Sequence, residues 1–219
     1  LLTVGSDYSN ESVDSSVTYD IDERSNLGVF LQWQGAHGAQ NFVAGTRIDD
    51  NEQFGTHTTG SVDYALDLTS GYRLNMGYGT AFKAPSFNDL YYPGFGTPTL
   101  DVETSSSFEV GLSGDSDRGH WSIRGFQTRI KDLIGYNPVT WASVNVDKAR
   151  INGFEFEWDG LVRAGLLKNW EMGTSLTLSD PIDRSTDKQL PRRSKQVIQL
   201  DLDRQQQTSR YGLNLQYHG

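Results

Sequence analysis

Apolar and polar residues alternate along most of this chain with a period of two. From Tyr72 to Phe82, the residues Tyr72, Leu74, Met76, Tyr78, Thr80 and Phe82 fall on one face. Arg73, Asn75, Gly77, Gly79 and Ala81 fall on the other. The last stretch repeats this, with Tyr211, Leu213, Leu215 and Tyr217 set against Gly212, Asn214, Gln216 and His218. Side chains of a strand point alternately to its two faces, so each such segment has one apolar and one polar side. The pattern predicts about eleven strands, roughly at 1–8, 25–34, 40–50, 58–68, 72–82, 104–114, 120–135, 144–162, 168–179, 193–204 and 208–218. The strongest apolar faces are Leu27/Val29/Leu31/Trp33, Val62/Tyr64/Leu66/Leu68, Phe108/Val110/Leu112, Phe154/Phe156/Trp158 and Trp170/Met172/Thr174/Leu176/Leu178.

The segments between these strands alternate in length. Short connectors are expected near Gly35–Ala39, Thr69–Gly71, Asp115–Gly119, Arg163–Leu167 and Gln205–Gln207. Longer ones are expected near Ser9–Arg24, Asn51–His57, Lys83–Glu103, Tyr136–Ser143 and Asp180–Arg192. Strict alternation puts every long loop at one end of an antiparallel sheet and every turn at the other. That asymmetry, with no helical pattern, predicts an all-β fold: an antiparallel, up-and-down transmembrane β-barrel with lipid outside and a polar lumen. Aromatic residues near strand ends, Tyr8, Trp33, Phe82, Trp121, Trp158, Trp170 and Tyr217, suit interfacial girdles. A soluble sandwich also alternates, but it buries its apolar faces against a second sheet.

Composition changes this picture little. In 219 residues there is no run of the roughly 20 apolar residues that a membrane helix requires, whereas a membrane strand requires only about 9–11. The formal charge of −9 argues against nucleic-acid partners, which need basic surface. With no cysteine, disulfides, thiolate metal sites and cysteine nucleophiles are excluded. The chain starts within a strand-like stretch, Leu1–Val4, with no signal peptide, and is expected to be a piece of a longer protein.

Candidate chemistry is sparse. Asp49 and Asp50 with His57 form a conceivable hydrolase fragment, but no nucleophile elbow accompanies them, and no enzymatic activity is expected. Asp14, Asp20, Asp22 and Glu23 offer hard oxygen ligands for Ca²⁺ without the spacing of a known loop motif; a solvated loop is the alternative.

The segment Gly77–Leu112 carries an ordered set of boxes: Phe82-Lys83-Ala84-Pro85, Leu90-Tyr91, Gly96-Thr97-Pro98-Thr99-Leu100, Glu103 and Phe108-Glu109-Val110-Gly111. Pro85, Pro93 and Pro98 cannot donate to a ladder, so this segment leaves the sheet as a loop. Lys131-Asp132-Leu133-Ile134 and Ala149–Glu155 follow. The set resembles the signature of the TonB-dependent outer-membrane receptors. Arg47–His57, Lys148–Gly153 and Leu190–Gln196 resemble its cobalamin-transporting branch most closely. The resemblance implies an integral protein of the Gram-negative outer membrane whose barrel has 22 strands and a plugged lumen. This chain would supply part of that barrel domain over residues 1–219, without the plug, the TonB-contact segment or the C-terminal strands. It implies uptake of cobalamin or another large scarce nutrient, energised by the TonB system through the plug, with outer-membrane lipid as surroundings. No cofactor is expected beyond Ca²⁺ in extracellular loops of the full-length protein.

A large polar ligand suits aromatic, amide and guanidinium contacts in the loops and upper lumen. Tyr91, Tyr92, Asn137, Trp141, Arg192 and Arg193 are the candidates, the arginines foremost, because their forked donors match amide or phosphate oxygens. The alternative is that both arginines decorate the strand entrance or meet lipopolysaccharide phosphates. Haem receptors of the family generally carry a histidine between these boxes, and none lies between Ala84 and Leu100. A ferric siderophore remains the main rival ligand. A non-energised porin or adhesion barrel is the rival of a different class.

Overall fold

The computed structural model describes residues 1–68 and 71–219. Its strands are β1 (Leu2–Ser12), β2 (Glu23–His37), β3 (Gln40–Asn51), β4 (Gly55–Asp67), β5 (Tyr72–Lys83), β6 (Glu103–Ser116), β7 (Gly119–Asn137), β8 (Ala142–Leu161), β9 (Glu171–Asp183), β10 (Lys188–Gln189), β11 (Gln196–Gln206) and β12 (Ser209–His218). One short helix, α1 (Phe87–Tyr91), interrupts the series. Each long strand pairs antiparallel with its sequence neighbours, and β10 pairs only with β9. β1 and β12 stand at the two edges of this curved portion of barrel wall.

All eleven expected strands are present, most of them longer than the alternation suggested. Register explains why. Val29 stands opposite Ile48, Val62 opposite Tyr78, and Tyr78 opposite Phe108. Farther on, Ile123 meets Phe156, Phe156 meets Leu176, Leu176 meets Ile198, and Leu200 meets Leu215. One apolar band thus crosses the whole sheet, and a one-residue slip in any strand would invert its part of it. Tyr78 remains 51% exposed and Leu215 53%, so no second sheet among the described residues covers the band. A soluble sandwich would cover it, and a lipid-facing wall leaves it bare.

The opposite face is polar and cross-braced. Arg47 on β3 reaches across β2 to Asp7 on β1, with bonds of 2.6 and 2.9 Å, and also holds Asp49 at 2.6 Å. Arg124 on β7 lies between Glu109 on β6, at 2.9 Å, and Glu155 on β8. The first brace depends on Gly28, where a Cβ would lie 1.8 Å from Arg47 Nη2. Gly28→Ala is therefore expected to expel the guanidinium and leave buried Asp49 with Asn26 as its partner. A loss of about 1–2 kcal/mol follows from the broken charge-assisted bonds. A lowered midpoint of heat unfolding in detergent checks this, and an unchanged midpoint counts against the brace.

The connections differ from the expected alternation. Residues 13–22, 84–102 and 184–195 form long loops at one end. The Asn51–His57 connector closes instead as a tight turn over residues 52–54. Asn51 Oδ1 accepts both Gln53 N and Phe54 N at 3.1 Å, and Gly55 has φ of 76°. Tyr136–Ser143 contracts to residues 138–141. At the other end, the Arg163–Leu167 turn widens to 162–170, closed by Val162 N to Trp170 O at 2.9 Å. Of the Thr69–Gly71 turn, Thr69 and Ser70 lie outside the described residues.

Phe82 keeps its place in the β5–β6 ladder, opposite Thr104, where β4 has parted from β5. The β4–β5 ladder runs only from Asp67/Arg73 to Ser61/Gly79. Beyond it the Thr80 hydroxyl bonds to Gly60, and the His57 ring stacks on Phe82 at 4.4 Å. Phe82 is half-buried there.

Candidate ligand-binding site at the loop end

The β5–β6 loop is the best-anchored segment of the long-loop end. Ser86 Oγ accepts Asp89 N at 3.2 Å, and Asp89 Oδ2 accepts Ser86 N at 3.0 Å, which is a capping box for α1. A single helical turn is marginal by itself, so docking must hold it. Phe87, Leu90, Pro85 and Leu100 are buried for this purpose. Gly96 permits the close approach: a Cβ there would lie 2.6 Å from the carbonyl carbon of Leu90.

Arg24 is the latch. It is 6% exposed, donates to Glu11 at 2.8 Å and to the Pro85 carbonyl at 2.7 Å, and lies 4.8 Å over the Phe87 ring. Tyr19 donates its hydroxyl to Asn88 at 2.6 Å, and Gln53 Nε2 donates to the Tyr91 hydroxyl at 2.6 Å. On the far side, Ser143 N donates to Phe95 O at 3.0 Å, and Asn145 exchanges two bonds with the Asp101 backbone. One loop thus ties together the β1–β2, β3–β4 and β7–β8 connections. The proline-rich box leaves the sheet as a loop, as its missing N–H donors imply.

Beside this loop opens a cavity of about 520 Å³, lined among others by Lys83, Phe95, Tyr136, Arg192 and Arg193. Leu133 and Leu190, which line it, belong to a small apolar cluster with Ile130 and Ala149. Asp132, at φ of 54°, twists β7 so that Leu133 joins Ile130 over the polar face. Leu190 N donates to Pro181 O at 2.9 Å, folding the β9–β11 loop across that face. Tyr136 is sandwiched, with Phe95 stacked at 5.8 Å and the Arg192 guanidinium 5.4 Å from its ring. The carboxylate in the wall, Asp89, is already engaged by Ser86 and by Ser143 Oγ at 3.2 Å. Three cations, one hydrogen-bonded carboxylate and an aromatic stack therefore face a ligand, an excess of positive charge. The arrangement can hold anionic or carbonyl oxygens against flat apolar surface.

The expected site residues separate. Arg192 and Arg193 line the cavity, and Trp141 stands edge-on to Tyr136 at 6.2 Å. Asn137 spends its side chain on its own turn, accepting Val139 N at 2.9 Å and Thr140 N at 3.3 Å. Tyr91 is tied to Gln53, Tyr92 is exposed, and neither lines the cavity. Lys83, Phe95 and Tyr136 were missed, although Lys83 and Phe95 sit within or beside the quoted boxes. Asp14, Asp20 and Asp22 lie along the β1–β2 loop, and Glu23 is engaged by Asn10. Among the described residues, no three histidine or carboxylate side chains converge as a metal site. In the adjoining turn, the Ser25 backbone N–H and hydroxyl hold the Glu52 carboxyl below the usual carboxylate range.

An antiparallel wall with a bare apolar band, a braced polar face and anchored loops at one end defines part of a transmembrane barrel. A family model described as "TonB dependent receptor-like, beta-barrel" matches residues 2–219, and the chain belongs to that family. It is an integral part of the Gram-negative outer membrane. A relative described as the vitamin B12 transporter BtuB of Photobacterium profundum is 37% identical, across 87% of this chain and 32% of its own length. The siderophore receptor PirA of Pseudomonas aeruginosa superposes with a TM-score of 0.76 at 21% identity, covering 100% of this chain and 42% of that one. The copper transporter OprC gives 0.76 at 20% identity, covering 99% of this chain and 40% of that one. These two likenesses bear on fold alone. The chain spans about a third of the length of the curated relative it matches.

Proposed function

We propose that residues 1–219 are part of the barrel domain of an outer-membrane transporter that binds and imports cobalamin. The observation that carries this reading is the 37% identity to a vitamin B12 transporter across 87% of the chain. The cavity fits it. Guanidinium groups suit the phosphate and amide oxygens of cobalamin, and the Phe95–Tyr136 stack offers apolar surface to its flat ring system. Binding needs no covalent step. Import would draw energy from the TonB system, acting through a plug carried elsewhere in the full-length protein. Ca²⁺ dependence, where found, is assigned to loops of the full-length protein.

A ferric siderophore is the second reading, favoured by the excess of cations, Lys83, Arg192 and Arg193, over the carboxylate Asp89 in the cavity wall. Deletion of the gene separates the two. Cobalamin uptake by whole cells is expected to fall to the level of a strain lacking TonB, with siderophore uptake unchanged. The reverse pattern would overturn the cobalamin reading.

A further inference from the structure

On the lipid-facing side, the upper part of β7 and β8 changes character abruptly. Below, Trp121 stands opposite Trp158, Ile123 opposite Phe156, and Gly125 opposite Phe154. Above come Gln127 opposite Asn152, Arg129 opposite Arg150, and Lys131 opposite Lys148. The ladder is continuous through these rows, so all lie on one face. That face is shared by Phe108, which stands opposite Gln127, and by Leu178, opposite Phe154.

Four cations thus form two directly opposed like-charged pairs, an arrangement that repels unless a counter-charge is supplied. The protein supplies little. Among the described residues, none of the four takes part in an ion pair. Arg129 Nε is bonded to the neutral Gln127 at 2.9 Å. In the adjoining β8–β9 ladder, Asp180 stands one row lower, opposite Asn152.

Height decides what can answer them. If Trp121 and Trp158 mark the girdle at the turn end, the Arg129/Arg150 row lies eight residues farther along β7. At about 3.4 Å per residue and a tilt near 40°, that is roughly 20 Å higher, close to the far edge of an apolar band about 25 Å tall. Long basic side chains there extend into the headgroup layer. We infer that Arg129, Lys131, Lys148 and Arg150 bind the phosphorylated saccharide headgroup of an outer-leaflet glycolipid. The site is separate from the cavity at Arg192 and Arg193, and it does not depend on which nutrient is imported.

The test uses the full-length receptor, delipidated in detergent and titrated with purified lipopolysaccharide or its enzymatically dephosphorylated form. The phosphorylated lipid is expected to bind about tenfold or more tightly than the other. Combined Lys131→Gln and Lys148→Gln should remove about tenfold of that preference. Both positions are exposed, so the variant folds, and retained heat-modifiability on gels confirms it. Lys168→Gln, at the opposite end, should change nothing. Equal affinity for the two lipid forms, or an unaffected double variant, would overturn the site. Displacement of the lipid by millimolar inorganic phosphate would also overturn it, marking a small-anion site instead.

Discussion

Replacing Arg24 with alanine is expected to unlatch the β5–β6 loop and expose residues 84–102 to protease. Arg24 is buried against Phe87, and its bond to the Pro85 carbonyl spans 61 positions of sequence. Without the guanidinium, that carbonyl loses its charged donor, and the docked face of α1 loses its cover. Charge-assisted bonds of this kind contribute about 1.5–3 kcal/mol. The docked-to-open ratio should therefore fall by one to two orders of magnitude, about 2 kcal/mol. The cost stays below that of a fully buried ion pair because the Glu11 side chain is 57% exposed and rehydrates. Limited proteolysis of outer membranes reads the effect directly. Arg24→Lys should rescue only partly, since an ammonium cannot fork between Glu11 and Pro85. An unaltered cleavage pattern in Arg24→Ala would show that the loop is held by other means.

Arg192→Ala combined with Arg193→Ala is expected to weaken cobalamin binding about 100-fold, with no change in protease pattern. Both side chains are exposed, so their removal leaves the sheet and the Leu190 anchor intact. Two charge-assisted contacts at about 1.5 kcal/mol each account for a loss of that size. Arg192 should contribute more, because its guanidinium is already set over Tyr136 and loses less freedom on binding. Equilibrium binding to membranes containing each single variant apportions the loss. Wild-type affinity in the double variant would remove the cavity from the site. The two sets of variants thus have separate readouts: Arg24→Ala alters proteolysis, and the Arg192/Arg193 variant alters binding.

The faces of the strands were legible because a period of two is a local property. Leu213 and Leu215 announce their side of β12 without reference to any neighbour. Connector lengths were less legible, since they depend on side chains that fold back on their own turn. Asn51 closes the β3–β4 turn and Asn137 the β7–β8 turn, and neither bond is visible in a pattern of polar residues. The expectation that Asn137 reaches a ligand has the same origin: a turn-capping amide and a ligand-binding amide look alike in sequence. Arg24 looked like an ordinary residue at a loop edge, because its partners come from two distant segments. Arg192 and Arg193 could be nominated by chemistry. That Tyr136 and Phe95 would meet them required the fold.

The most direct measurement is radiolabelled cyanocobalamin binding to outer membranes containing the full-length protein, with and without excess ferric siderophore. Saturable, tight binding that the siderophore leaves untouched is expected. Absence of binding in membranes where the barrel is folded, or displacement by the siderophore, would contradict the cobalamin reading.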